Sequence, residues 1–291
     1  MNNPVIYALG FFDGVHLGHR ALLEQCRALA DRYGCKAGAV TFAAHPETLV
    51  LGKKTALLNT NADRKTLLNS YGMDTVLQLP FNKALMNTHW SDFLRQLMDS
   101  GAAGFVCGED FRFGAKGNGT AKKLAAFCQS RQLPWAIVPD QMMDGGRISS
   151  TRIRQLIGDG QMEQANQLLG HTHILTGTVV EGQQLGRTIG IPTANIPMPE
   201  ELLVPKFGVY ATYVTAEGKT YPAITNIGTR PTVNGKGVTV ESYLLDFAGD
   251  LYGKEITVSF CGFLRPERKF NSLEELKTRI AADITQARQM L

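Results

Sequence analysis

The strongest constraint on the fold is the alternation of short apolar runs with stretches of helical spacing in the first half of the chain. Strands and helices that alternate at this interval favour right-handed βαβ units. The pattern therefore predicts a parallel sheet flanked by helices over residues 1–155. The predicted strands are Val5 to Leu9, Ala37 to Phe42, Thr75 to Leu79, Gly104 to Gly108 and Trp135 to Pro139.

The second half has a different pattern, in which short alternating runs are separated by Gly, Pro and Asn. This pattern predicts an antiparallel β-barrel or sandwich. Apolar residues at helical spacing from Leu273 to Ile284 predict one closing amphipathic helix, with Ser272 as its N-cap and Glu275 three residues later. The predicted strands are Gly177 to Val180, Val209 to Val214, Tyr221 to Ile224, Val238 to Leu245 and Ile256 to Phe260.

Length and composition limit the class of protein. A chain of 291 residues suits two domains better than one, and we expect them at 1–155 and 174–291, joined by a helical linker region at 156–173. No apolar run reaches the roughly 18 to 20 residues of a membrane-spanning helix. The net charge of +4 is spread without basic runs, and the five cysteines form no C-x-x-C pair. We expect a cytoplasmic protein without nucleic-acid or membrane partners, and its protein partners are left open.

A glycine-rich string, G-F-F-D-G-V-H-L-G-H at residues 10–19, joins the first predicted strand to the first helix. Ligands of open parallel sheets bind at such a junction. Glycines allow the backbone to approach a phosphate, and the start of a helix favours an anion. His16 and His19 could therefore stabilise charge that develops on a phosphate. Either histidine alone could equally be a helix cap or a solvent-exposed side chain.

A second string, I-S-S-T-R-I-R at residues 148–154, closes the same predicted domain. Together the two strings resemble the nucleotidyltransferase superfamily, whose Rossmann-like domain transfers AMP or CMP from a triphosphate. The resemblance implies that His16, His19 and Arg154 are catalytic and that Ser150 and Thr151 hold the β- and γ-phosphates. The further ATP-binding residues that it implies are Gly10, Phe12, Asp13, Gly14 and Gly18.

Two more strings resemble the FMN adenylyltransferase branch of that superfamily: T-F-A-A-H-P from Thr41 and G-E-D-F-R-F-G from Gly108. The resemblance implies that Asp110 and Arg112 contribute to an FMN pocket. Ala44 stands where the branch usually has proline, and Phe11 where it often has asparagine. Without the resemblance, these strings are a strand end and a turn with a charged rim.

In the second half, Thr193 and Asn195 lie two residues apart in the extended segment P-T-A-N. They therefore share a face and offer two neutral oxygens suited to Mg²⁺ beside ATP phosphates. Glu241 stands in an otherwise apolar strand pattern, where a glutamate is either solvent-facing or a candidate base.

The order of four strings in this half resembles riboflavin kinase: P-T-A-N, N-I-G-T-R-P-T from Asn226, the segment from Glu241 to Gly253, and F-L-R-P-E-R-K-F from Phe263. The resemblance implies that Glu241 is the general base and that Thr193 and Asn195 hold Mg²⁺. The phosphate-binding residues that it implies are Gly182, Gly186, Arg187 and Tyr252. The flavin-binding residues that it implies are Arg265, Arg268 and Phe270, with the arginines suited to the phosphate of FMN.

The whole chain thus resembles the prokaryotic family of bifunctional riboflavin kinase/FAD synthetases. The resemblance implies riboflavin, FMN and ATP as substrates, Mg²⁺ with ATP, and flavins as substrate and product rather than prosthetic groups. Three alternatives stay open: an enzyme in which only one half is active, a non-catalytic flavin sensor, and an adenylyltransferase for another mononucleotide. The last leaves the second half unexplained.

Overall fold

The structure is a computed structural model that describes residues 4–45, 52, 55–182, 190–232 and 235–291. The chain divides into two compact units. The first comprises residues 1–57 and 61–149, and the second comprises residues 58–60 and 150–291. The predicted domain limits at 155 and 174 stay predictions.

The first unit contains the predicted parallel sheet. Its described strands are β1 (Val5–Leu9), β2 (Lys36–Phe42), β3 (Thr75–Leu79), β4 (Ala102–Gly108), β5 (Arg112–Phe113), β6 (Gly119–Thr120), β7 (Trp135–Val138), β8 (Met142–Met143) and β9 (Gly146–Arg147). The sheet has the order β3-β2-β1-β4-β7, and all its strands are parallel. The chain order reverses between β1 and β4, so the loop after β1 lies at the switch point where ligands bind in such sheets.

Helices cover both faces of this sheet. They are α1 (Leu17–Tyr33), α2 (Asn61–Ser70), α3 (Lys83–Asn87), α4 (Trp90–Asp99) and α5 (Ala121–Gln129). Alternate residues of β1 enter two separate cores: Ile6 packs with Leu23 of α1, whereas Tyr7 packs with Phe93 of α4. This alternation is the period of two that a strand buried on both faces requires.

The second unit is a nearly closed antiparallel barrel. Its strands are β10 (His173–Thr178), β11 (Ala194–Pro197), β12 (Gly208–Ala216), β13 (Lys219–Thr232), β14 (Gly235–Leu244) and β15 (Glu255–Pro266). They have the order β10-β15-β12-β13-β14-β11. An isolated bridge between Val180 and Asn195 brings the chain after β10 back to β11. The predicted strand from Gly177 to Val180 was therefore placed too late, because β10 ends at Thr178.

The helices among the described residues of the second unit are α6 (Ser150–Asp159), α7 (Met162–Leu169) and α8 (Leu273–Met290). The predicted linker packs on the barrel, because the Asn166 amide of α7 donates to Phe260 O at 2.8 Å and accepts from His173 N–H at 2.8 Å. The predicted N-cap of α8 is confirmed, with Glu275 N–H donating to Ser272 Oγ at 3.1 Å. No helix among the described residues is long and apolar enough to cross a membrane.

Candidate active sites

The loop after β1 holds a strained backbone. Phe12 and Val15 have φ values of 58° and 41°, and both side chains are fully buried. A positive φ is rare for any residue with a Cβ and most unusual for a β-branched one such as Val15. Strain of this kind persists only where the surroundings enforce it, and it concentrates at functional sites. The core beneath the loop therefore fixes its shape before any ligand arrives.

His16 ends this loop and caps α1. Its Nδ1 accepts a hydrogen bond from His19 N–H at 3.3 Å. Because Nδ1 is the acceptor, the neutral ring has its proton on Nε2, which can donate to an anion. Gly18 leaves room for this ring, since a Cβ at Gly18 would lie 3.1 Å from His16 Nδ1. The glycine of the H-x-G-H string therefore permits the packing of the first histidine.

The His16 and His19 rings stack, with centroids 3.7 Å apart and planes 14° apart. Burial, followed by the charges of His16, Arg64 and Arg147, holds the pKa of His19 well below its usual range. A neutral histidine still has one ring N–H that can donate a hydrogen bond. The first turn of α1 contains no acidic residue, so the helix start remains favourable for an anion.

A cavity of about 690 Å³, called the aromatic cavity below, lies in the same unit and has four phenylalanines in its wall. It is lined by Phe42, Phe81, Phe93 and Phe113, and by Arg112, which was predicted to contribute to an FMN pocket. Asp110, the other predicted FMN residue, is not among the described lining residues. Its carboxylate instead pairs with Arg147 of β9, which also contacts Asp140 at 3.0 Å. The contribution of Asp110 to an FMN pocket stays a prediction.

The second predicted string divides between the two units. Ile148 and Ser149 belong to the first unit, and α6 begins at Ser150 in the second. Ser150, Thr151 and Arg154 therefore lie in the first two turns of α6. Their role at the ATP phosphates stays a prediction.

In the barrel, three polar side chains form a row across neighbouring strands. Glu241 of β14 pairs in register with Asn195 of β11 on one side and with Asn226 of β13 on the other. Residues paired in this way point to the same face with Cβ atoms about 4.5–5.5 Å apart. Thr239 Oγ1 also donates to Glu241 Oε1 at 3.3 Å. The row therefore holds a carboxylate between two amides.

Asn195 fits a cation ligand. Asn195 is only 5% exposed. Its Nδ2 donates to Thr193 O at 3.1 Å and to Thr193 Oγ1 at 3.4 Å. Its Oδ1 is buried and has no hydrogen-bond partner in the part of the chain that the structure describes. A buried amide oxygen without a partner is costly unless a ligand completes it. A hard cation such as Mg²⁺ prefers oxygen of this kind.

Gly182 explains how a phosphate could approach this asparagine. A Cβ at Gly182 would lie 2.7 Å from Asn195 Nδ2, so only glycine fits. Two other predicted phosphate residues, Gly186 and Arg187, lie outside the described residues.

Two cavities meet at Thr193. One, of about 330 Å³, is lined by Thr193, Asn195 and the loop from Phe247 to Tyr252, and includes the predicted Tyr252. The other, of about 460 Å³, is lined by Thr193, Glu241, Asn226 and the flavin-binding candidates. Thr193 lies in the walls of both, so the two cavities share a boundary.

The flavin-binding candidates Arg265, Arg268 and Phe270 line the 460 Å³ cavity, and the Arg265 side chain is already paired with a carboxylate. Its guanidinium forms a fork with buried Asp283 of α8, with Nε–Oδ1 at 3.0 Å and Nη2–Oδ2 at 2.8 Å. The expectation that Arg265 offers this fork to the phosphate of FMN is therefore not supported by the side-chain geometry. Arg268 lies over the Phe270 ring at 4.7 Å and pairs with Glu275 at 2.7 Å. Phe270 lies in the wall of the 460 Å³ cavity, which is called the larger barrel cavity, or simply the larger cavity, below.

Sequence reasoning missed three residues of these sites. Arg64 and Arg147 lie near His19, and Asn226 lies beside Glu241. Arg147 directly precedes the I-S-S-T-R string, and this adjacency was the available signal. Asn226 is the first residue of the string N-I-G-T-R-P-T, and this string was the available signal. Arg64 lies in an ordinary polar helix sequence that contains no such signal.

Comparisons with known proteins give one consistent family. The family model described as FAD synthetase matches residues 1–152, and the one described as riboflavin kinase matches residues 169–291. A relative from Listeria monocytogenes is 36% identical over 96% of this chain and 90% of its own length. A relative from Escherichia coli K12 is 38% identical over 98% of this chain and 92% of its own length. Both are described as bifunctional riboflavin kinase/FMN adenylyltransferases.

Among solved structures, one from Streptococcus pneumoniae resembles the chain along nearly its whole length. It is described as a macrolide-efflux protein, with a TM-score of 0.88, 30% sequence identity, and coverage of 99% of this chain and 95% of that chain. The likeness supports the arrangement of elements described above. The efflux activity in its description is a statement about that protein.

Proposed function

Because the chain belongs to the family of bifunctional riboflavin kinase/FMN adenylyltransferases, we propose that it makes FMN and then FAD. The second unit phosphorylates riboflavin with ATP, and the first transfers AMP from a second ATP to FMN and releases pyrophosphate. One observation carries the proposal most directly. The first unit has the stacked His16–His19 pair after β1, at the switch point of its sheet, and the second has the Asn195–Glu241–Asn226 row beside two cavities.

In the kinase, Glu241 acts as the general base. It takes the proton from the terminal ribityl hydroxyl of riboflavin as that oxygen attacks the γ-phosphorus of ATP, and ADP leaves. Glu241 lines the larger cavity, and its strand neighbour Asn195 lines the smaller one. Riboflavin therefore occupies the larger cavity and ATP the smaller, with the reacting atoms at their boundary.

Mg²⁺ accompanies ATP in this proposal, and Thr193 and Asn195 would hold it. When bound, such an ion neutralises phosphate charge. The support is the buried Asn195 Oδ1 that lacks a partner among the described residues. Tyr252 and the Gly182 backbone would border the nucleotide.

Asn195→Ala should raise the Mg²⁺ concentration for half-maximal kinase rate at least about tenfold. Removing a residue that only supports a metal ligand already lowers metal affinity about 10- to 100-fold, and Asn195 is proposed as a ligand itself. The measurement is FMN formation against Mg²⁺ concentration at saturating ATP. FAD formation from supplied FMN at the same Mg²⁺ concentrations serves as the control in the same molecule. An unchanged Mg²⁺ requirement would remove Asn195 from the metal site.

In the adenylyltransferase, a phosphate oxygen of FMN attacks the α-phosphorus of ATP. A phosphate monoester is already nucleophilic near neutral pH, so charge stabilisation is the main demand. His16 Nε2–H and the start of α1 provide it, and the I-S-S-T-R-I-R string implies that Arg154, Ser150 and Thr151 hold the leaving phosphates. The flavin ring occupies the aromatic cavity beside Phe42, with Arg112 at its rim. We place this chemistry in the cytoplasm, where ATP is available.

The test is a product time course with purified protein, riboflavin, ATP and Mg²⁺. We expect FMN to appear first and FAD to follow with stoichiometric pyrophosphate. FMN without FAD would leave a kinase with an inactive first unit. If FAD forms only when FMN is supplied, the protein is an adenylyltransferase with an inactive second unit. If the protein binds flavin but forms no product, it is a non-catalytic flavin sensor.

A further inference from the structure

Arg64, in the first turn of α2, is a cation enclosed by the first unit. The residue is 1% exposed. Its Nη1 donates to Phe42 O at 2.9 Å and to Thr41 Oγ1 at 3.2 Å, both at the end of β2. The Phe11 ring lies 4.3 Å from the guanidinium carbon. One edge of the guanidinium is therefore bound, and one face is covered.

The other edge consists of Nε and Nη2. Nε and Nη2 are both buried and make no hydrogen bond to any residue within the described ranges. Burying a charged donor without a partner costs more than burying a neutral one. Burial lowers the pKa of Arg64, and Asp13 opposes this effect. An arginine nevertheless stays protonated in proteins, so the charge remains. Such a group needs an explanation beyond packing.

Its position relates the two parts of the adenylyltransferase site. On one side its guanidinium carbon lies 4.3 Å from the Phe11 ring of the loop after β1, and its charge contributes to the lowered pKa of His19. On the other side it binds the backbone of Phe42, which lines the aromatic cavity. Arg64 therefore lies between the cavity assigned to the flavin ring and the loop assigned to ATP.

FMN must span this same interval. Its ring would occupy the cavity, and its phosphate must reach the α-phosphorus of ATP beside His16 and His19. Two anionic groups repel each other as they approach, so a fixed cation between them favours the encounter. A guanidinium edge with two donors matches a phosphate in geometry and charge.

We infer that Arg64 positions the phosphate of FMN by donating hydrogen bonds to it from Nε and Nη2. The inference rests on the function proposed for this unit. Since both atoms are buried, a small side-chain shift accompanies FMN entry. Hydrogen bonds of this kind often form only in the substrate complex.

The experiment compares Arg64→Met with wild type in FAD formation from supplied FMN, and measures inhibition by lumiflavin, a flavin ring without the ribityl phosphate. We expect KM for FMN to rise at least about tenfold, as lost charge-assisted hydrogen bonds imply. KM for ATP should change by less than about threefold, and the lumiflavin inhibition constant should stay within about twofold, because these report binding that Arg64 does not assist. Arg95→Met, at a half-exposed arginine of α4 paired with Asp92, controls for loss of an arginine.

Three results would overturn the inference: an unchanged KM for FMN, a lumiflavin constant that rises in parallel with it, or a fall in kcat with neither KM altered. If Arg64→Met fails to fold, Arg64→Lys replaces it, with a smaller rise in KM for FMN, about threefold, expected at constant lumiflavin inhibition. A parallel rise of both constants in Arg64→Lys overturns it equally. Wild type that makes no FAD from FMN contradicts the proposed function itself, and kinase activity in each variant reports on folding of the rest of the chain.

Discussion

Glu241→Gln should slow conversion of riboflavin to FMN at least about 100-fold, since a positioned general base contributes roughly 10²- to 10⁴-fold to a rate. Glutamine keeps the shape of the side chain and its place between Asn195 and Asn226, but it cannot take a proton. The same protein should still make FAD from supplied FMN at the wild-type rate. The measurement is the initial rate of each step by separation of riboflavin, FMN and FAD.

Two comparisons make this test specific. Glu255→Gln alters an exposed glutamate of β15 in the same barrel and should leave both rates unchanged. Glu267→Gln alters the other glutamate that lines the larger cavity. A slow Glu267 variant beside a fast Glu241 variant would transfer the role of base to Glu267. Equal losses in the Glu255 and Glu241 variants would indicate a general effect on the barrel.

In the proposed kinase site, the residues that lie in one extended segment could be predicted, because their spacing decides whether their side chains share a face. Thr193 and Asn195 share a face because side chains alternate along an extended chain, and the structure places Asn195 Nδ2 against Thr193. The row with Glu241 and Asn226 was not predictable, because it depends on the register of three strands. Arg265 shows the same limit. Its partner Asp283 lies 18 residues later on α8, and no local pattern relates the two.

The first unit follows the same division. Apolar runs located its five parallel strands, since a strand buried on both faces is apolar along its length. The helix start at His16 followed from the position of the string after β1. The burial of Arg64 could not be predicted, because the segment N-A-D-R-K of α2 has the composition of an exposed helix. Only the tertiary structure shows that a charge from this segment enters the core.

The role of His16 requires two effects to be separated, because the same ring caps α1 and is proposed to stabilise charge on the substrate phosphates. Replacing a cap by alanine costs about 0.5–2 kcal/mol of stability, which could lower activity without any catalytic role. Asparagine is a good N-cap and can accept from His19 N–H, but it has no imidazole. His16→Asn therefore retains the first function and removes the second.

His16→Asn should lower FAD formation from FMN by about 10²- to 10³-fold, the range seen when one preorganised donor to developing charge is removed. Its melting temperature should stay close to that of wild type, and riboflavin should still be converted to FMN, which accumulates. His16→Ala should show the same loss of FAD formation together with a lower melting temperature. If His16→Asn keeps the wild-type rate and only His16→Ala is slow, the contribution of His16 is its cap on α1, and the charge stabilisation must come from His19 and the helix start.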